Sequence, residues 1–126
     1  MKIGDTLILA KPKISFKEAL QDWLTYDIDR LELSKILDQT KIPNSMLYKG
    51  VAYRVWLESE INKPLKGYYS HTKSLKLAKE FARNSGYKNF IIEKTPSVTG
   101  IDLGTSEGEV LVKRRKINKK NILHEA

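Results

Sequence analysis

Met46-Leu47-Tyr48-Lys49-Gly50-Val51-Ala52-Tyr53-Arg54-Val55-Trp56 is where the chain changes character. Aromatic and β-branched residues take over from Ser45 onward, the composition of a pleated, half-buried strand. Three further stretches of the same kind follow: Leu65 to Tyr69, Phe90 to Glu93, and Val110 to Ile117. Upstream the pattern is helical. Ser15-Phe16-Lys17-Glu18 reads as a capping box, in which the Ser15 hydroxyl accepts from the Glu18 N–H and the Glu18 carboxylate reaches back to the Ser15 N–H. Phe16, Leu20, Trp23 and Leu24 then fall at i, i+4, i+7 and i+8, one apolar stripe. Asp29-Arg30-Leu31-Glu32 opens a shorter helix carrying Leu33, Ile36 and Leu37, closed by Pro43 and Asn44. One more helix, about Ser74 to Arg83, sits among the strands with Leu75, Ala78, Phe81 and Ala82 on one face and Thr72 or Ser74 as its cap. Helices first and strands later predict an α+β domain with a mainly antiparallel sheet.

The chain has 126 residues, 40% hydrophobic and 30% charged, the balance of one folded domain with a modest core. Residues 1–126 are read as that domain, with 1–45 a mainly helical lead-in and 46–126 the β core. There are no cysteines, which excludes a disulfide scaffold and thiolate zinc sites. The two histidines, His71 and His124, are far apart, so no metal is expected. The apolar run Ile3 to Ala10 is interrupted by Asp5 and followed by Lys11 and Lys13. It is too short for a membrane span and has the wrong flanks for a secretory signal. It reads as a first strand or an ordered lead-in, and a cytoplasmic location without membrane contact is expected. The net charge of +8 favours acidic partners: nucleic acid, an acidic protein, or a polyanionic small molecule such as a dinucleotide.

Three short motifs carry the functional signal. Leu47-Tyr48-Lys49-Gly50 lies on the first predicted strand. Tyr69-Ser70-His71-Thr72 is followed by Ala78-Lys79-Glu80-Phe81 on the next helix. Glu107-Gly108-Glu109-Val110-Leu111-Val112 sets two carboxylates at the mouth of a strand. In this order they resemble the arginine–serine–glutamate class of mono-ADP-ribosyltransferases, which includes bacterial toxins, vertebrate ecto-enzymes and bacteriophage enzymes. In that family one strand carries Tyr-Arg-Gly. A second carries Ser-Thr-Ser and runs into a helix with Ala-x-x-Phe, and a third begins Glu-x-Glu. Gly100-Ile101-Asp102-Leu103 also looks like the family's approach to its catalytic loop. The resemblance covers about Leu47 to Ile117, and the N-terminal helices match the family's helical lead-in.

The resemblance implies an ADP-ribosyltransferase-like fold, with helices followed by a split antiparallel sheet, and NAD as substrate without a metal. Glu109 is then the catalytic carboxylate that stabilises the oxocarbenium-like ribosyl cation and binds the ribose hydroxyl. Ser70 holds Glu109 in its working rotamer, and Glu107 orients the incoming nucleophile, which in this pattern is a protein arginine. Tyr48, Gly50, Thr72 and Phe81 complete the NAD site. The family's arginine is replaced by Lys49, a more mobile point charge than the bidentate guanidinium fork. Arg54 is the alternative cation. Five residues separate the two, so a regular strand points them to opposite faces, and Lys49 is the preferred ligand of the pyrophosphate.

Bland readings stand beside these. Paired glutamates around a glycine also make a solvated turn, Ser70 and Thr72 suit a strand end or a helix cap, and Tyr48 and Phe81 suit packing. Near the C-terminus, Lys113-Arg114-Arg115-Lys116 and Lys119-Lys120 read first as a charged edge strand. Their sharper reading is a docking surface for nucleic acid or for a nucleic-acid-bound host target protein. The rival function is therefore an inactive transferase fold, or a basic nucleic-acid-binding module, serving as adaptor or inhibitor. The small, Lys-rich chain has the style of a bacteriophage or mobile-element effector acting in a host bacterium.

Overall fold

A computed structural model describes residues 14–86 and 88–123; the apolar run Ile3 to Ala10 lies outside them. The Ser15 capping box forms in both directions and starts α1 (Phe16–Leu24). Asp29 caps α2 (Arg30–Asp38) by accepting from the Glu32 N–H at 2.8 Å. This helix ends before Pro43. Ser74, not Thr72, caps α3 (Leu75–Asn84), by accepting from the Leu77 N–H. The buried faces of α1 and α2, Ala19, Leu20, Leu33 and Leu37, pack against Ile101 and Leu111 of the sheet. Burying each large aliphatic side chain contributes about 1.5–3 kcal/mol.

The sheet is five-stranded and antiparallel: β1 (Leu47–Leu57), β2 (Tyr68–Thr72), β3 (Phe90–Asp102), β4 (Glu109–Lys113) and β5 (Ile122–Leu123), in the order β1-β2-β4-β3-β5. Because β1 also pairs with β3, strands β1, β2, β4 and β3 close on one another. The observed architecture is thus an α+β domain with N-terminal helices and an antiparallel sheet. No helix among the described residues is long and apolar enough to cross a membrane.

Three departures from the expected strands have local causes. β3 runs to Asp102 rather than stopping at Glu93, straight through Pro96. Opposite the step from Gly50 to Ala52 in β1, β3 advances from Val98 to Thr95, so Pro96 and Ser97 form a bulge where the missing proline N–H breaks no ladder. β2 starts at Tyr68 rather than Leu65. The Leu65 N–H is drawn to the Arg115 carbonyl, and Gly67 turns the chain at φ +82°, a conformation suited to glycine. β4 ends at Lys113 because its partner strand begins opposite it at Tyr68, and Gly67 turns the chain away beyond that pair.

Arg114 belongs to a buried network. Glu93 is fully buried and accepts from Trp56 Nε1 at 3.0 Å, Arg114 Nη2 at 2.7 Å and the Asn118 N–H at 2.8 Å. Arg114 Nη1 lies 2.9 Å from His71 Nε2, and His71 Nδ1 lies 2.8 Å from the Tyr69 carbonyl oxygen. A guanidinium only donates, so Nε2 is the acceptor and Nδ1 carries the proton. Burial, aided by the Arg114 and Arg54 charges and opposed by the Tyr69 carbonyl, drives the His71 pKa down to about 3. The imidazole is neutral at physiological pH.

One separation and one close approach shape the sheet around β2. Along the ladder β1 and β2 share one residue pair, Tyr53↔Thr72, and below it they separate. The exposed edge of β2 is satisfied by side chains instead. Arg54 Nη1 donates to the Ser70 carbonyl at 2.6 Å, Ser34 Oγ accepts from the Tyr68 N–H at 2.8 Å, and Arg30 Nη1 donates to the Tyr68 carbonyl at 3.2 Å. On the other side β3 lies tight against β4. A Cβ on Gly100 would sit 2.5 Å from Val110 Cγ1 and 2.8 Å from the Leu111 carbonyl.

Candidate active site

Glu109 is the first residue of β4, directly across from Thr72 at the end of β2. This pairing brings Ser70, two residues back along β2, to the same face, and Ser70 Oγ donates to Glu109 Oε2 at 2.7 Å. The loop before Glu109 is fixed from both ends. Thr105 Oγ1 accepts from the Glu109 N–H at 3.2 Å, the Lys73 N–H donates to the Gly108 carbonyl at 3.0 Å, and Thr72 Oγ1 donates to the Glu107 carbonyl at 2.9 Å. Gly104 and Gly108, at φ +68° and +63°, supply the left-handed turns that this compact loop needs. Thr72 therefore anchors the loop that carries both glutamates.

A cleft of about 620 Å³ opens over this end of the sheet, and Ser70, His71, Thr72, Thr105, Glu107 and Glu109 line it. That size suits a small-molecule site. Ala78 and Phe81 of α3 form one wall, and Trp23, Leu24, Tyr26 and Ile28 of the α1–α2 corner form the other. The rim is apolar and open: Leu24, Tyr26 and Phe81 are all exposed, and Tyr26 holds φ +63° at 94% exposure. Glu107 stands exposed at the mouth. Among the described residues no group of three or more His, Asp or Glu is arranged to hold a metal ion.

The two candidate cations lie on opposite faces of β1, as their odd spacing requires. Arg54 shares the inward face with Ala52 and Trp56 and lines the cleft; Lys49 is exposed opposite Thr99 and does not. The Arg54 guanidinium lies 4.4 Å from the Trp56 ring centroid and 5.3 Å from that of Tyr69. Its Nε is buried with no hydrogen-bond partner. Burial, opposed by Glu60, lowers its pKa to about 10, so it stays cationic at neutral pH. Lys49, the expected ligand, thus lies off the cleft that Arg54 lines. Tyr48 and Gly50 also lie off the cleft. The Tyr48 hydroxyl donates to the Val51 carbonyl at 2.7 Å, and its ring packs on the Ala52, Val98, Val110 and Val112 cluster.

The basic segment divides in the same way. Lys113 Nζ pairs with Asp38 at 2.8 Å on the surface, whereas Arg114 is buried on Glu93 and is withdrawn from any outside anion. Arg115 and Lys116 remain exposed and, with Lys63, Lys119 and Lys120, line a groove without a carboxylate. The segment is not an edge strand, because Lys113 ends β4, which pairs with β2 and β3, and the residues after it lie outside that strand.

Trp23 is, with Thr105, a cleft residue on Glu109 that sequence reasoning missed. Its indole Nε1 donates to Glu109 Oε2 at 2.9 Å across 86 residues of chain. Nothing local to Trp23 separates it from the other members of its apolar stripe. No family model matches the chain, and comparisons with curated proteins and with solved structures likewise give no match.

Proposed function

We propose that the chain is an NAD-dependent mono-ADP-ribosyltransferase with an ADP-ribosyltransferase-like fold, transferring ADP-ribose to a macromolecular target with protein arginine as acceptor. One observation carries this reading: an arginine, a serine and a glutamate from three strands line one cleft, with Ser70 Oγ 2.7 Å from Glu109 Oε2 and Arg54 on the Ser70 carbonyl. In the reaction the bond from ribose C1′ to the nicotinamide nitrogen breaks, and its electron pair leaves with neutral nicotinamide. The Glu109 carboxylate stabilises the ribosyl cation that develops and accepts a hydrogen bond from the 2′-hydroxyl. The acceptor nitrogen forms the new bond to C1′ and loses its proton to Glu107 or to water; in hydrolysis, water takes its place. Arg54, which lines the cleft and stays cationic, supplies positive charge for the pyrophosphate. Phe81 and Tyr26 offer ring surface at the rim.

Incubation of the protein with labelled NAD and a bacterial lysate tests the reading. Label on a discrete protein, lost on hydroxylamine treatment, is the expected result for an arginine acceptor. A wild type that neither binds nor cleaves NAD would support the rival reading of an inactive adaptor. The carboxylate-free basic groove is the surface it would offer to an acidic partner or to nucleic acid.

Two substitutions divide the labour within the site. Arg54→Ala should weaken NAD binding by about tenfold to a hundredfold, the loss of one charge-assisted contact. Lys49→Ala should leave binding unchanged, and Arg54→Lys should fall between, since an ammonium keeps the charge and loses the fork. Calorimetric titration of the three variants decides it, and loss of binding in Lys49→Ala alone would restore Lys49 as the ligand. Glu107→Gln should abolish transfer to the target while sparing slow NAD hydrolysis, because Glu107 stands at the mouth and not against Ser70. Equal loss of both activities would contradict that division.

A further inference from the structure

We infer that Trp23, on the N-terminal helix, is a positioning residue for Glu109, so that α1 is part of the reactive unit rather than a lead-in to it. The inference deepens the transferase reading and rests on it. Two donors converge on a single carboxylate oxygen: Ser70 Oγ at 2.7 Å and Trp23 Nε1 at 2.9 Å both reach Glu109 Oε2. No hydrogen bond to Oε1 occurs among the described residues. The carboxylate is therefore divided into an oxygen that is held and an oxygen that is free to meet a ligand in the cleft.

The two anchors differ in kind. A serine hydroxyl rotates and both donates and accepts, so it can swing its O–H from the carboxylate toward an incoming hydroxyl or water. An indole N–H only donates, and it is carried on a bulky ring whose orientation is set by packing. Trp23 is partly buried against the cluster formed by Ala19, Leu20, Leu33, Leu37, Ile101 and Leu111. Leu111 lies on β4 two residues beyond Glu109, so the helix that carries the donor packs on the strand that carries the acceptor. The distance between them is fixed by one shared piece of core. Holding a group within a fraction of an ångström of its working position is what such a supporting contact contributes.

Trp23→Phe keeps a ring in the core and removes only the donor. NAD hydrolysis by this variant should show kcat lowered about tenfold or more with KM within about threefold of wild type, because transition-state alignment is lost and ground-state binding is not. The indole region of a ¹H–¹⁵N spectrum gives a readout independent of activity. The two tryptophans give two Nε1–H signals, from Trp23 on Glu109 and Trp56 on Glu93. In Glu109→Ala one should move toward the position of a free indole while the other stays, and the one that moves should be the one missing from Trp23→Phe. Wild-type kcat in a folded Trp23→Phe protein, or an unmoved Trp23 signal in Glu109→Ala, overturns the assignment. A wild type that cleaves no NAD overturns the transferase reading, and the catalytic role of Trp23 with it, while the spectrum still reports the contact.

Discussion

Glu109→Gln is expected to lower NAD cleavage and transfer together by about a hundredfold to a thousandfold, the usual cost of removing one electrostatic stabiliser from a transition state. The substitution is informative because of how Glu109 is held. A glutamine carbonyl oxygen can still accept from Ser70 Oγ and Trp23 Nε1, so the side chain keeps its place and loses only its charge. Thermal unfolding should therefore stay close to wild type, and the whole deficit should appear in kcat. Initial-rate measurements on a protein whose melting curve overlays the wild type make the comparison. Undiminished hydrolysis by such a protein would remove Glu109 from the chemistry.

The second large effect concerns stability. Glu93→Ala should cost about 3–5 kcal/mol, because it strands the Arg114 cation in the interior. Glu93 is fully buried and is the shared acceptor of Trp56, Arg114 and the Asn118 N–H. With it gone, Trp56 Nε1 and the Asn118 N–H lose their acceptor, and Arg114, left on the Lys116 carbonyl, loses its counter-charge. Urea denaturation should show a much lower midpoint with little change in slope. Pairing Glu93→Leu with Arg114→Met should recover most of the loss, since replacing a buried ion pair by apolar residues is often close to neutral. Failure of the double variant to recover would mean that the His71 contact, not the charge pair, carries the stability.

What the sequence disclosed follows the range over which each signal acts. The α1 capping box is a four-residue matter, and it formed as spaced. Glu107 and Glu109 were visible as a pair because the loop and strand that present them are contiguous. Strand parity was also legible: Lys49 and Arg54 do face opposite ways. Parity does not say which face meets the cleft, and that was decided by Trp56, Tyr69 and the Ser70 carbonyl, all brought in from other parts of the chain. The basic run gave no signal of its division, because Val110, Leu111 and Val112 are all buried and phase does not separate Arg114 from Arg115. Trp23 gave none either, because its partner lies 86 residues away.

The plugged edge of β2 also sets how the protein would fail. Along Tyr68 to Ser70 the edge is protected by three side chains, two of them from α2, and not by a strand. Side-chain plugs can withdraw without unzipping a ladder. Loosening of α2 would uncover an unpaired strand edge while the rest of the sheet stayed intact, and such an edge is a template for pairing with another chain. Self-association through that edge, ahead of global unfolding, is the aggregation route built into this architecture, and the +8 charge is its main opponent.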